Sequence, residues 1–296
     1  MSIDGILNIN KPAAETSLDT VRRVRRLCGQ RWVGHAGTLD PGATGVLPVC
    51  LGQATRIIPF IVDAHKTYIA EMELGVVTDT YDADGRVTRR VDCSHVTREQ
   101  VEQALPAFRG SILQKPPMYS AVKHQGKRLY ELARAGIEVE RELRTAEVFR
   151  LELLDWQPPL CTVEVECGKG TYVRSLAHDL GQAVGCGAHV KKLVRTRNGL
   201  FDIRDSVTVS QLEAAFEREE WRELLYPMDV VLQNWMAAIV SEEQERDIRH
   251  GRPVALAMGD EKGYCRAYSA DGRFLAVLRF LPERSLWHPE KVFAAS

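Results

Sequence analysis

The chain has 296 residues, 45% of them hydrophobic and 27% charged, with 39 lysines and arginines against 40 aspartates and glutamates. These fractions are those of a globular protein and exclude a disordered, collagenous or disulfide-scaffold chain. At this length roughly 75% of the extended surface is buried on folding, and a net charge near zero says nothing about local patches.

Residues 1–5 lack the basic start and apolar core of a secretion signal. No apolar run reaches the roughly 18 residues of a membrane span, so a cytoplasmic protein without membrane contact is expected. Thr16-Ser17-Leu18-Asp19 has the form of a capping box and opens a helix with Val21, Val24, Leu27 and Cys28 on one face. Arg22, Arg23, Arg25 and Arg26 occupy the other face, where an arginine stripe is commonly just solvated. Residues 34–45 are rich in glycine and contain Pro41, which is loop chemistry.

From Tyr68 the pattern alternates through Ala70, Met72, Leu74 and Val76, predicting a half-buried strand. Further strands are predicted over Val148–Trp156 and Thr162–Cys167. The latter leads through Gly168-Lys169-Gly170 into a helix carrying Val173, Leu176, Ala177, Leu180 and Val184, with Gly185 as its stop. Between Asp205 and Asp247 eleven acidic residues face three basic ones. Ser210-Gln211-Leu212-Glu213 predicts the start of an acidic helix ending near Tyr226-Pro227. After Trp235 short strands take over, and Asp271-Gly272 between Tyr264–Ser269 and Phe274–Phe280 is a hairpin signal. Strands and helices mixed at irregular spacing predict an α+β class, with a boundary near residue 233.

The seven cysteines, Cys28, Cys50, Cys93, Cys161, Cys167, Cys186 and Cys265, form no Cys-x-x-Cys pair and read as reduced thiols. No Walker-type loop, dinucleotide fingerprint, zincin helix or Gly-x-Ser-x-Gly elbow occurs, so those chemistries lose their support. What remains is Asp40 in the glycine-rich loop, flanked by His35 and Thr38. On composition alone a turn aspartate capping backbone amides is favoured. The loop's length and its small residues, Ala36, Gly37, Gly42 and Ala43, would also let a bulky ligand approach the backbone.

The segment Gly34-His35-Ala36-Gly37-Thr38-Leu39-Asp40-Pro41-Gly42-Ala43-Thr44-Gly45-Val46-Leu47 resembles the catalytic loop of the TruB family of tRNA pseudouridine synthases. The likeness continues through Asn10-Lys11-Pro12, Lys66-Thr67-Tyr68 and Thr78-Asp79-Thr80-Tyr81-Asp82-Ala83-Asp84-Gly85. It extends through Pro116–Lys123, Gly126–Tyr130, Gly168-Lys169-Gly170-Thr171-Tyr172-Val173-Arg174 and Leu193–Arg197. One departure is Ala13-Ala14, where the family usually has glycine shortly after Asn-Lys-Pro.

The resemblance implies isomerisation of the T-loop uridine at conventional tRNA position 55, with no cofactor and no metal. It implies Asp40 as nucleophile, Arg174 as its partner, and Tyr68 as the aromatic that acts beside them and stacks on the target base. Tyr172 and Leu193 would complete the uracil pocket, His35 would enter the T loop, and Lys11 would contact substrate. The implied architecture is a pseudouridine-synthase catalytic domain over 1–232 and a small, β-rich, PUA-like RNA-binding domain over 233–296. The partner is the T arm and loop of tRNA, with no obligate protein partner and a monomer expected. Basic residues concentrate in Arg109–Arg150, nine against five acidic, and again at Lys191, Lys192, Arg195 and Arg197, where phosphate contacts are expected. A guide-RNA-dependent relative, a tRNA-folding chaperone and a glycoside-type hydrolase with a second carboxylate are the rival readings.

Overall fold

The structure is a computed structural model that describes residues 3–257 and 263–294. Met1 and Ser2, part of the stretch read for a secretion signal, lie outside the described residues. The chain opens with β1 (Gly5–Lys11), buried along nearly its whole length. Helix α1 (Ser17–Cys28) starts where the capping box places it: Asp19 N donates to Thr16 Oγ1 at 3.1 Å and Thr16 N donates to Asp19 at 3.2 Å. Val21, Val24 and Cys28 of its apolar stripe are buried and Leu27 is half-buried, while Arg22 pairs with Asp19 and Arg23 bridges Glu15 and Glu213.

Strands β2 (Val33–His35) and β3 (Thr44–Leu51) bracket the glycine-rich segment. The expectation of a loop over all of 34–45 is therefore corrected at both ends. Gly34 and His35 pair with Cys50 and Val49, and Thr44 and Gly45 pair with Val194 and Arg195. At Gly45 the backbone has φ +101°, and a Cβ would lie 2.2 Å from the Arg195 carbonyl oxygen. Only glycine allows two backbones to approach so closely in that conformation.

After α2 (Ile58–Val62) comes β4 (Lys66–Leu74), with Ala70, Met72 and Leu74 buried and Glu71 and Glu73 half-exposed as the alternation requires. Strands β5 (Val76–Thr78) and β6 (Val87–Arg90) form a small hairpin that carries the loop 79–86. Then follow α3 (Arg98–Ala104), β7 (Gly110–Gln114), the hairpin of β8 (Lys123–His124) and β9 (Lys127–Arg128), and α4 (Leu129–Arg134). The predicted strands near 150 and 165 are longer than expected, as β10 (Arg144–Gln157) and β11 (Leu160–Cys167). Helix α5 (Val173–Ala183) stops just before Gly185, which has φ +87°.

β12 (Ala188–Asn198), β13 (Phe201–Asp202), β14 (Val207–Thr208), α6 (Val209–Glu217) and β15 (Leu225–Tyr226) complete the first unit. The sheet runs β14-β1-β3-β12-β4-β11-β10-β7, with β2, β13 and β15 off this path. It is mixed: β12 lies parallel to β3 and antiparallel to β4. The class is α+β. Helix α5 packs on β12 and β4, and its apolar face closes a core with Ala70, Met72, Val163 and Val165.

The acidic helix differs from its expectation. Thr208, not Ser210, is the cap, with Gln211 N donating to Thr208 Oγ1 at 3.2 Å and Thr208 N donating to Gln211 Oε1 at 2.8 Å. The helix ends at Glu217 rather than near Tyr226-Pro227, and Glu219 turns the chain at φ +60°. Glu217-Arg218-Glu219-Glu220 offers no apolar residue to continue the buried stripe, and Pro227 favours extended backbone at Tyr226.

Beyond Trp235, strand β16 (Met236–Ile239), α7 (Glu242–Arg249), β17 (Tyr264–Tyr268), β18 (Phe274–Leu281) and β19 (Leu286–Val292) follow. The four strands form a separate sheet in sequence order, and β17 and β18 are the hairpin signalled by Asp271-Gly272. Trp235 stacks on Tyr264 at 5.0 Å and meets Phe60 edge-on at 5.0 Å. Val277 and Phe293 share a buried cluster with Ile6, Val46 and Ile57.

Candidate active site

Asp40 sits in the 36–43 loop between β2 and β3, which is held from several directions. Ser17 Oγ donates to Leu39 O at 3.1 Å and accepts from Leu39 N at 2.9 Å. Arg195 donates from Nη2 to Gly37 O at 2.9 Å and from Nε to Val46 O at 2.7 Å, and Asn198 Nδ2 donates to Ala36 O at 2.9 Å. Lys11 supports the loop from below: its ammonium donates to Pro12 O at 2.7 Å, Glu15 O at 2.6 Å and Pro41 O at 3.1 Å. Fixed carbonyl positions on both sides of Asp40 fix the direction of its side chain.

Arg174, from the first turn of α5, has a side chain only 5% exposed and meets Asp40, 38% exposed, with two atoms. Nη2 donates to Asp40 Oδ1 and Nε faces Oδ2, both at 2.9 Å. The remaining donors reach Asp82 Oδ2 at 3.2 Å, Thr80 O at 3.3 Å and Tyr119 O at 2.9 Å. A cation is disfavoured at a helix N-terminus, and here two carboxylates offset that field. Asp82 is itself fixed, accepting from the Thr80 hydroxyl at 2.5 Å and from Asp84 N at 3.2 Å.

Burial pushes the Asp40 carboxyl above its usual range, with Asp82 and Asp84 adding to the rise while Arg174 and Lys11 oppose it. Burial also lowers Lys11 to about 8, against the pull of Glu15 and Asp40. The phenols of Tyr68 and Tyr172 are raised by burial and stay protonated.

Above Asp40 opens a cleft of about 430 Å³ lined by Asp40, Arg174, Asp82, Asp84, Lys192 and Leu193, among others. Of the residues singled out from the sequence, the structure brings Asp40, Arg174 and Leu193 into this one cleft. Tyr68 lies on β4 opposite Arg195, half-buried between two core clusters, and Tyr172 stands directly before α5. Both phenols are close enough for the Asp40 charge to act on them. His35 is elsewhere, at the end of β2 opposite Val49 and outside the cleft lining. Its Nδ1 is buried without a partner among the described residues, and burial and the Arg195 charge lower its pKa.

Lys11 departs from its expected place against substrate. It is completely buried, and its three donors are all taken by backbone carbonyls. Of the expected basic cluster over 191–197, only Arg195 departs from the surface, while Lys191, Lys192 and Arg197 stay exposed within ion pairs. Arg195 is 1% exposed and braces the loop, Lys191 pairs with Glu73 at 3.1 Å, Lys192 with Glu71 at 3.7 Å, and Arg197 with Asp202 at 3.4 Å. Asp82 and Asp84 carry site geometry that the sequence reading gave no role. Their signal was the Asp79–Asp84 stretch, which holds three carboxylates and no base.

Residues 25–173 match the model of the TruB family pseudouridylate synthase N-terminal domain, and residues 174–233 match the tRNA pseudouridylate synthase B C-terminal domain. The tRNA pseudouridine synthase B of Dehalococcoides mccartyi is 47% identical over 292 residues, covering 98% of this chain and 97% of that protein. Its counterpart from Stutzerimonas stutzeri is 45% identical over 278 residues, covering 93% and 91%. Among solved structures, a chain of a Cbf5-Nop10-Gar1 complex superposes with TM-score 0.75 at 28% identity, covering 98% of this chain and 85% of that one. With Asp40 and Arg174 joined at the floor of an open cleft and near-full-length relatives at this identity, the chain belongs to the TruB family of pseudouridylate synthases.

Proposed function

We propose that the protein isomerises the T-loop uridine at position 55 of tRNA to pseudouridine, with Asp40 as nucleophile. The observation that carries this is a carboxylate both aimed by a buried arginine and open to a cleft. The target nucleotide leaves its stack and enters that cleft. The unstacking cost is a few kcal/mol, and stacking on an aromatic returns about 1–3 kcal/mol per base. Tyr68 supplies that face, with Tyr172 and Leu193 as further walls. Asp40 forms a covalent adduct, which requires its ionised form, and Arg174 holds that form in one orientation. The bond from ribose to N1 of uracil breaks, the base turns, and a bond from ribose to C5 forms. The C5 proton is released while N1 gains one, so the atoms balance without an added reagent.

In this reading His35 enters the T loop from the neighbouring strand, and Lys11 positions the catalytic loop instead of touching RNA. Residues 1–232 act as the catalytic domain and 233–296 as a PUA-like RNA-binding domain. The protein works alone, as a monomer in the cytoplasm, and uses no cofactor.

Tritium release from unmodified tRNA labelled at uridine C5 tests the reading. Wild type should release tritium from one T-loop uridine and Asp40→Ala none. Free uracil as product would mean hydrolysis. Folded protein that binds tRNA yet releases no tritium would end the proposal.

A further inference from the structure

Tyr81, the residue directly before Asp82, has φ +63°, a conformation rarely taken by bulky L residues. Two contacts hold it there. Its carbonyl accepts from Val190 N at 3.0 Å, and its ring stacks on the His178 imidazole, with centroids 4.0 Å apart and planes at 19°. His178 lies four residues after Arg174 on α5, so both side chains point from one helix face toward the same loop. Helix α5 thus touches the 79–86 loop twice: Arg174 reaches Asp82 and the Thr80 carbonyl, and His178 covers Tyr81.

The imidazole acts here as a flat surface. Its Nδ1 is buried with no hydrogen-bond partner among the described residues. Burial, with the charges of Arg89 and Arg141, holds the ring below its ordinary pKa. Neither Tyr81 nor His178 lines the cleft.

We propose that Tyr81 and His178 are a positioning pair: their stack holds residue 81 in its left-handed conformation and so aims Asp82 at Arg174, which in turn aims Asp40. The inference rests on the reading of Asp40 and Arg174 given above. Without the stack, the Val190 hydrogen bond is left alone to oppose the backbone strain at residue 81. The turn relaxes, the Asp82 carboxylate leaves Arg174 Nη1, and the arginine loses one of the two anions that hold its plane.

The test combines His178→Ala, His178→Phe and an Asp82→Asn background. Single-turnover pseudouridine formation should fall roughly two- to tenfold in His178→Ala, the range for losing one aromatic pair. Dissociation constants for tRNA should stay within about twofold, and His178→Phe, which keeps a flat ring, should recover the rate. In Asp82→Asn protein, adding His178→Ala should cost nothing further, because the route through residue 82 is already cut. An activity-independent readout is the side-chain NMR signal of Arg174 Nε–H, which should shift in His178→Ala and return in His178→Phe. A shift without any pseudouridine formed by wild type would remove the proposed function and leave the positioning pair standing. An unmoved Arg174 signal in folded His178→Ala, equal losses in both backgrounds, or failure of phenylalanine to rescue would each overturn the inference.

Discussion

Arg174 meets Asp40 edge to edge, Nη2 on Oδ1 and Nε on Oδ2, each at 2.9 Å. Such a fork fixes the plane of the carboxylate as well as its charge, which a point cation cannot do. Arg174→Lys keeps the charge but strips donors from Asp82, Thr80 O and Tyr119 O. Pseudouridine formation in single turnover should drop by about 10²-fold or more, with tRNA binding nearly unchanged. A rate within threefold of wild type would show that charge alone suffices, roughly a 0.6 kcal/mol effect.

The pH dependence follows from the direction of the Asp40 shift. Its folded-state pKa lies above the ordinary 3.8, chiefly through burial. A reaction that needs the carboxylate is then fully active above the raised value and loses rate as pH falls through it. The acid limb of the kcat/KM profile should therefore lie above pH 3.8, and Asp84→Asn, removing one of the neighbouring like charges, should move it to lower pH. A limb unmoved by Asp84→Asn would place the controlling charge elsewhere.

Asp179, on α5, is half-buried, and burial raises its carboxyl from 3.8 to about 6. Between those values the folded protein binds more protons than the unfolded chain, so stability falls as pH rises through that window and stays reduced above it. Asp179→Asn imitates the protonated form. It should stabilise the protein at pH 7 by about 1–2 kcal/mol after allowance for solvent screening. Near pH 3.5 the gain should vanish. Denaturant midpoints at the two pH values measure both, and equal midpoint shifts would refute the burial argument.

Gly45→Ala is expected to be strongly destabilising. The added carbon would lie 2.2 Å from the Arg195 carbonyl oxygen, at a residue with φ +101°. Separating β3 from β12 to admit it should cost about 3–5 kcal/mol. Thermal unfolding of Gly45→Ala beside Gly126→Ala, whose added carbon meets nothing within 4 Å among the described residues, controls for the left-handed conformation alone.

Local periodicity made β4 and α1 legible, because the alternation from Tyr68 and the Thr16–Asp19 box involve only neighbours in sequence. The acidic helix shows where local signals tie. Thr208 with Gln211 and Ser210 with Glu213 both have the capping spacing, and pairing of Val207 and Thr208 with Ile9 and Asn10 selects the first. The loop's supports were hidden for the opposite reason. Arg195 meets Gly37 across 158 positions and Arg174 meets Asp82 across 92, so nothing near Arg195 or Lys11 in sequence tells a brace from a surface base. Asp40 and Arg174 were identified by resemblance to a family, which carries such distant pairings in its motifs.

The aromatic seam between the two sheets sets a limit on how this protein can change. Trp235 contacts Phe60 on one side and Tyr264 on the other, and Phe293 packs into the same cluster as Ile6 and Ile57. The last sixty or so residues are thus bound to the rest by side chains that must fit one another in shape. Grafting that segment from a relative would bring in a mismatched half of the seam unless Phe60 and its neighbours travelled with it. Drift on either side is therefore constrained by drift on the other, and the two halves should diversify in step.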